Sequence, residues 1–178
     1  MTSSQPATPS DSRTATRVVI ADASALMYVH QLALAQVLEQ LYSEVLAPEA
    51  VIDEVEKGRH DARDLPEPSS IAWLRIRPDP PIPDEVKRFA LDAGETAVLA
   101  LALSIRGADV LVLLDDRDAR DAAVSLDIPL TGVLGVLIEA KRTALISTVR
   151  PYLEELRRRG FRMSEQLYQQ VLELAAER

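Results

Sequence analysis

A parallel α/β sheet with helices on both faces, a three-layer α/β/α arrangement, is the fold this sequence predicts. Three observations carry it. Strand-like and helix-like segments alternate from Arg17 to Gly132, the order expected of a parallel sheet with crossover helices. Val110-Leu111-Val112-Leu113-Leu114 is an unbroken aliphatic run, which reads as a strand buried on both faces. Ala97 to Ile105 is nearly all apolar, as befits a helix buried on every side.

The elements follow in order. Met1 to Thr16 is rich in Ser, Thr, Pro and Ala with no hydrophobic period, and is expected to be a disordered leader because it cannot bury enough surface to offset its ordering entropy. Residues 17–178 form the expected domain. Val18-Val19-Ile20-Ala21 is a short strand ending in Asp22, and Ser24 is placed as the N-cap of a helix through about Gln40. Val45-Leu46-Ala47 reads as the second strand. Pro48 is expected to open the next helix at its favoured first-turn position, and Gly58 to stop it.

Arg59 to Ser69 is charged and Pro-bearing and is expected to be a surface loop, with a helix end and a strand across Ile71 to Arg77. The prolines from Pro78 to Pro83 exclude regular structure there. A short helix over Asp84 to Leu91 precedes the apolar one, at whose first turn Glu95 stands. Gly107-Ala108-Asp109 reads as the turn opening the aliphatic strand. After the strand, Arg117 to Leu126 is helical, Ile128 to Gly132 is an edge piece because of Pro129, and Val133 to Arg142 is helical again. A C-terminal helical pair lies within 147–178, over Pro151 to Arg159 and Ser164 to Ala176, punctuated by Gly160.

Composition narrows the chemistry. The 178 residues suit one domain, and with 47% hydrophobic but only 4% aromatic residues the core must be aliphatic. The absence of Cys excludes disulfides, thiolate metal sites and cysteine nucleophiles, and two His residues make an imidazole zinc site improbable. A metal would therefore be held by oxygen, which favours Mg²⁺ or Mn²⁺. A net charge of −8 counts against nucleic-acid binding by bulk field. With no apolar run long enough for a membrane span and no signal-peptide plan at the N-terminus, the expected location is cytoplasmic and away from membranes.

Acids recur at strand ends and helix starts: Asp22, Glu54, Glu95 and the pair Asp115-Asp116. In open α/β sheets the carboxyl ends of strands are where ligands bind. Acids aimed at one cleft by elements anchored in the core would repel at a cost of several kcal/mol without a cation. A divalent metal answers that repulsion and activates water for phosphodiester hydrolysis without a Ser, His or Cys nucleophile.

Each residue also has a plainer reading. Asp22 and Ser24 suit helix caps, Glu54 is no more eligible than Asp53 or Glu56 on the same helix, Glu95 complements the helix dipole, and one of Asp115 and Asp116 suits the cap of the helix near Arg117. Arg117 and Arg120 are expected to pair on the surface with Asp118 and Asp121 rather than to bind phosphate. Arg157-Arg158-Arg159 reads as a solvated helix end, and His30 and His60 are given no role.

The ordered set Val-Val-Ile-Ala-Asp-Ala-Ser-Ala-Leu, Pro-Glu-Ala-Val-Ile-Asp-Glu-Val, Asp-Ala-Gly-Glu-Thr-Ala-Val-Leu-Ala-Leu-Ala and Leu-Leu-Asp-Asp-Arg-Asp-Ala-Arg resembles a PIN domain. It is most similar to the branch of predicted nucleic-acid-binding proteins in which Gly-Glu-Thr replaces the usual third Asp motif. A Thr-Gly-x-Leu-Gly-x-Leu segment follows in that branch, here Thr131 to Leu137, and the tail around Gly160 to Ser164 with Leu167-Tyr168 is also similar.

The resemblance implies a metal-dependent ribonuclease, in many family members a VapC-like toxin neutralised by a small antitoxin. It makes Asp22 the first acid, Glu54 the second, Glu95 the third and Asp115 or Asp116 the fourth, with Asp116 favoured and Asp118 a weaker neighbour. Asp22, Glu95 and Asp116 would then hold Mg²⁺ or Mn²⁺, with Ser24, Arg117 and Arg120 as substrate-facing groups. One departure is Leu114, which stands where the family pattern carries a Thr or Ser before the acid.

Two rivals belong to other classes: a PIN-like module that binds protein without catalysis, and a metal-dependent phosphohydrolase acting on a small molecule. Leu153, Leu156, Leu167, Val171 and Leu174 on the tail suit either a homodimer or antitoxin groove or packing onto the chain's own domain, and packing is the expectation.

Overall fold

In the computed structural model, which describes residues 17–61, 67, 71–105 and 109–177, five parallel strands form one sheet in the order β3-β2-β1-β4-β5. They are β1 (Val18–Ala21), β2 (Glu44–Pro48), β3 (Leu74–Arg77), β4 (Val110–Leu113) and β5 (Leu130–Thr131). β1 lies between β2 and β4, with Ala21 opposite Leu113. The central strands are buried along nearly their whole length, as the aliphatic run at β4 requires of a sheet covered on both faces. The short, Pro-preceded β5 closes one edge.

Nine helices among the described residues flank the sheet: α1 (Ala23–Gln31), α2 (Ala35–Leu41), α3 (Glu49–Asp61), α4 (Asp84–Lys87), α5 (Ala93–Ser104), α6 (Arg117–Ser125), α7 (Val133–Arg142), α8 (Arg150–Arg158) and α9 (Glu165–Leu174). The apolar α5 packs across β1, β2 and β4 and against α3. On it Ala97 to Ala102 are all buried. The tail packs on its own domain: Leu153, Leu156 and Val171 are buried, and α9 lies against α7. Glu177 ties it down further, pairing with Lys141 Nζ at 2.9 Å and accepting from the amides of Val149 and Arg150 where α8 begins.

Several boundaries differ from the expectation. The single helix through Gln40 is two helices, and Asp22 rather than Ser24 caps the first. Ala33 breaks it, in the left-handed region at φ 54°. Leu34 N–H donates to Val29 O and Ala33 N–H to His30 O, the double bond of a Schellman ending. Both Val29 and Leu34 are buried, so the apolar contact that accompanies this motif substitutes for a glycine signal. Pro48 ends β2, α3 begins at Glu49, and Gly58 does not stop that helix. The expected helix over Asp84 to Leu91 is a single turn, α4. The leader, most of the Arg59 to Ser69 loop and the Gly107-Ala108 turn lie outside the described residues. Gly160, at φ 89°, ends α8 as a glycine should.

Ala33 is exposed and holds a backbone conformation that costs an L-residue about 1 kcal/mol. Ala33→Gly is therefore expected to stabilise the protein by about 0.5–1 kcal/mol in denaturant titration, since relief of that strain exceeds the added freedom of the unfolded chain.

Candidate active site

The chain runs outward from β1 through β2 to β3, then returns to β4 on the other side of β1 and continues to β5. The winding thus reverses between β1 and β4, and a crevice opens at such a switch point outside the carboxyl ends of the strands. Asp22 follows β1 there, and Asp115 follows β4 by two residues. The ladder continues to the rim: Asp22 N–H donates to Leu113 O at 3.2 Å and Leu114 N–H to Thr131 O at 3.0 Å.

Asp22 is the one buried charged residue of the described set, only 4% exposed. Its Oδ1 accepts from Ala25 N–H at 2.7 Å, capping α1, and both oxygens lie 3.1–3.2 Å from the donating Ser24 Oγ. Burial pushes its pKa up to about 7, with Asp115 and Glu95 adding to the rise and the Ala25 amide and Ser24 opposing it.

Asp115 is half-buried, and its carboxylate accepts from Val133 N–H, at the start of α7, at 3.0 and 3.3 Å. Burial raises its pKa to about 6, against the Val133 amide and the nearby positive charge of Arg120. Arg120 donates to Leu114 O at 2.8 Å, which anchors the guanidinium behind the acid. The surface pairing expected of Arg120 is thus replaced by this inward bond. Arg117 stays on the surface, 3.9 Å from Asp121. Gly132 leaves no room for a side chain: a Cβ would lie 2.6 Å from Asp115 Oδ1 and 3.1 Å from the Arg120 guanidinium.

Glu95 forms a capping box at the start of α5. Its N–H donates to Asp92 Oδ1 at 2.8 Å, and Asp92 N–H to Glu95 Oε2 at 3.3 Å. Its pKa rises to about 7, chiefly through burial, then through Asp92, Asp116 and Glu54. Glu54 accepts from Gly94 N–H at 2.8 Å, and a Cβ at Gly94 would lie 2.5 Å from that carboxylate. Burial again raises the Glu54 pKa, with the Gly94 amide opposing. Glu54 thus fixes where α5 begins, a use that singles it out from Asp53 and Glu56.

Of the adjacent pair, Asp116 is exposed and caps α6, accepting from Asp118 N–H at 2.8 Å and Ala119 N–H at 3.3 Å. Asp116 thus takes the cap, while Asp115 is near enough to raise the pKa of Asp22 and Asp116 near enough to raise that of Glu95. Helix entry explains the choice, because the residue just before the first turn is the one whose side chain reaches the free amides. Two residues escaped the sequence reading. Asp92 was legible as the first member of an Asp-x-x-Glu capping box. Tyr28, close enough to Asp115 and Asp22 for both charges to raise its pKa beyond the effect of burial, carried no signal.

The donors are all oxygen, matching a hard cation. Among the described residues no three acids or histidines close around one point tightly enough to hold an ion by themselves. A hard cation bound here would therefore complete its shell with water.

An α/β domain with carboxylates gathered at the switch point of a parallel sheet is the class these features define. A family model described as PIN domain matches residues 18–177, and the chain belongs to the PIN-domain family, whose fold is of the nuclease type. No curated protein gives a match. No helix among the described residues is long and apolar enough to cross a membrane.

The raised pKa of Asp22 has a consequence for stability. A carboxyl whose pKa is higher folded than unfolded favours folding fully below about 3.8, and the contribution is lost as pH rises through about 7. Asn keeps the acceptor for Ala25 and Ser24 and removes the charge. Asp22→Asn is therefore expected to exceed the wild type by roughly 2 kcal/mol near pH 8 in chelator, the gap closing towards pH 4, as read by urea denaturation at each pH.

Proposed function

We propose that the chain is a divalent-metal-dependent endoribonuclease, with Asp22, Glu95 and Asp115 as the carboxylates that hold Mg²⁺ or Mn²⁺, directly or through its waters. The observation that carries this reading is Asp22, whose pKa is raised first by its burial and then by the neighbouring acids Asp115 and Glu95. When bound, the ion would lower the pKa of an attacking water and offset charge on the phosphate oxygens. Asp116 and Glu54 shape the site from outside: Asp116 holds the start of α6 and Glu54 the start of α5. Ser24 Oγ orients the Asp22 carboxylate. Arg120, anchored through Leu114 O, presents its remaining donors to a substrate phosphate, with Arg117 further out on the surface.

In the cell the proposal is a cytoplasmic toxin whose partner is a small antitoxin. Expression would arrest growth, and co-expression of the antitoxin would restore it.

Purified protein incubated with a labelled single-stranded RNA and Mn²⁺ is expected to cut it. Asp22→Asn and Asp115→Asn should each lower the rate at least 100-fold, on the order of 3 kcal/mol in the barrier, and chelator should abolish cutting. Asp116→Asn, which keeps the helix cap, should lower it less. Equal cutting by the wild type, both variants and the chelated sample would overturn the proposal.

A further inference from the structure

A cavity of about 390 Å³ adjoins the site, between α7, the connection from α8 to α9, and α9, and Asp115 and Arg120 are part of its lining. Its volume lies in the range of small-ligand pockets, roughly 300–1,000 Å³. Leu134 and Ile138 of α7 and Leu167 and Val171 of α9 supply aliphatic walls. Two glycines keep the floor low. A Cβ at Gly135 would collide with Thr131 Oγ1, and one at Gly132 with Asp115.

Phe161 and Arg162, in the connection between α8 and α9, complete the lining. The Phe161 ring is half-buried and held edge-on by Tyr28, with centroids 5.1 Å apart and planes at 77°. Tyr28 is the same residue that senses Asp115 and Asp22, so one aromatic pair links the acids to the cavity. Arg162 is exposed and has no carboxylate partner among the described residues, unlike Arg157 and Arg158, which pair with Glu165 and Glu155.

We propose that this cavity binds the nucleotide next to the scissile phosphate, with the base against the Phe161 ring and the aliphatic walls, and the phosphate between Arg120 and Arg162. An aromatic ring beside an aliphatic wall accepts the face of any base, and arginines flanking it suit the backbone charge. The position of the bond to be cut rests on the nuclease reading above; the binding itself does not. Since the chain carries a net −8, its RNA affinity must come from such local groups rather than from its overall field.

The test uses the full chain carrying Asp22→Asn as parent, with Mg²⁺ and a fluorescein-labelled RNA hexamer, read by fluorescence anisotropy. Phe161→Leu keeps apolar bulk and removes the ring. Arg162→Gln removes an exposed, unpaired charge and leaves the fold intact. Arg88→Gln, on an exposed arginine stacked on Phe89 and outside the cavity, is the control for bulk charge.

Phe161→Leu and Arg162→Gln are each expected to weaken binding about tenfold, within the range for loss of one stacked base or one phosphate contact, with Arg88→Gln within twofold of the parent. Unchanged affinity in both cavity variants, or an equal loss in the Arg88 control, overturns the inference. Cleavage by the wild type is scored separately. RNA bound in a Phe161-dependent way but never cut would sink the nuclease reading alone; RNA cut with the cavity variants unaffected would sink the cavity alone; RNA neither bound nor cut would sink both.

Discussion

The burial of carboxylates at the carboxyl end of the sheet, with the repulsion among them, is the constraint around which the rest of the site is built. Asp22 is all but removed from water, and its pKa near 7 records how unwelcome its charge is there. What the protein supplies in return is local: one amide and one hydroxyl for Asp22, one amide and a nearby guanidinium for Asp115, and a reciprocal cap for Glu95. These bonds hold the oxygens in place without neutralising them. Hydrogen bonds of this kind favour the ionised form but do not replace a counter-charge. The acids are thus kept oriented and electrostatically unsatisfied, the condition in which a cation gains most by entering.

The scaffold around them follows from that requirement. Parallel strands buried on both faces cannot shift without exposing aliphatic surface, so β1 and β4 fix the spacing of Asp22 and Asp115. Helix starts do the rest. Four helices begin within reach of this end of the sheet or against its acids: α1 behind Asp22, α6 behind Asp116, α7 against Asp115, and α5 held by Asp92 and, through Gly94, by Glu54 from α3. Each directs free backbone amides at a carboxylate, where the positive end of the helix dipole favours one. Gly94 and Gly132 are glycines because an acid oxygen occupies the space that a Cβ would fill.

Hydrophobic period made most of this legible in the sequence. The aliphatic run at β4, the all-apolar face of α5 and the acid-ended β1 each announce an element whose burial the structure bears out. What the sequence concealed depended on contacts between distant segments or on backbone turns without a glycine. Asp127, Ala144 and Ala176 take positive φ beyond helix ends as Ala33 does, and only Gly160 advertises the turn. At two of these turns the next residue, Leu34 after Ala33 and Ile128 after Asp127, is buried and secures the geometry instead. Nothing in the local spacing of Arg120 told it to turn inward to Leu114 O rather than outward to Asp121. Between Asp115 and Asp116 the decision was made by the first turn of α6, which needs a cap and takes the nearer acid.

The distribution of cations around these acids bears on what can approach them. Arg120 sits beside Asp115 and lowers its pKa, so that end of the cluster is partly compensated. The larger influences on Asp22 and Glu95 include no cation; every charged neighbour among them is another carboxylate. On the proposed reading a metal ion would therefore have its strongest electrostatic claim between Asp22 and Glu95. A phosphate, which must avoid uncompensated carboxylates, has its natural approach from the Arg120 side. On the reading proposed above, those opposite preferences would give the site a direction, with the cation on the α5 side of the switch point and the polyanion arriving across α7.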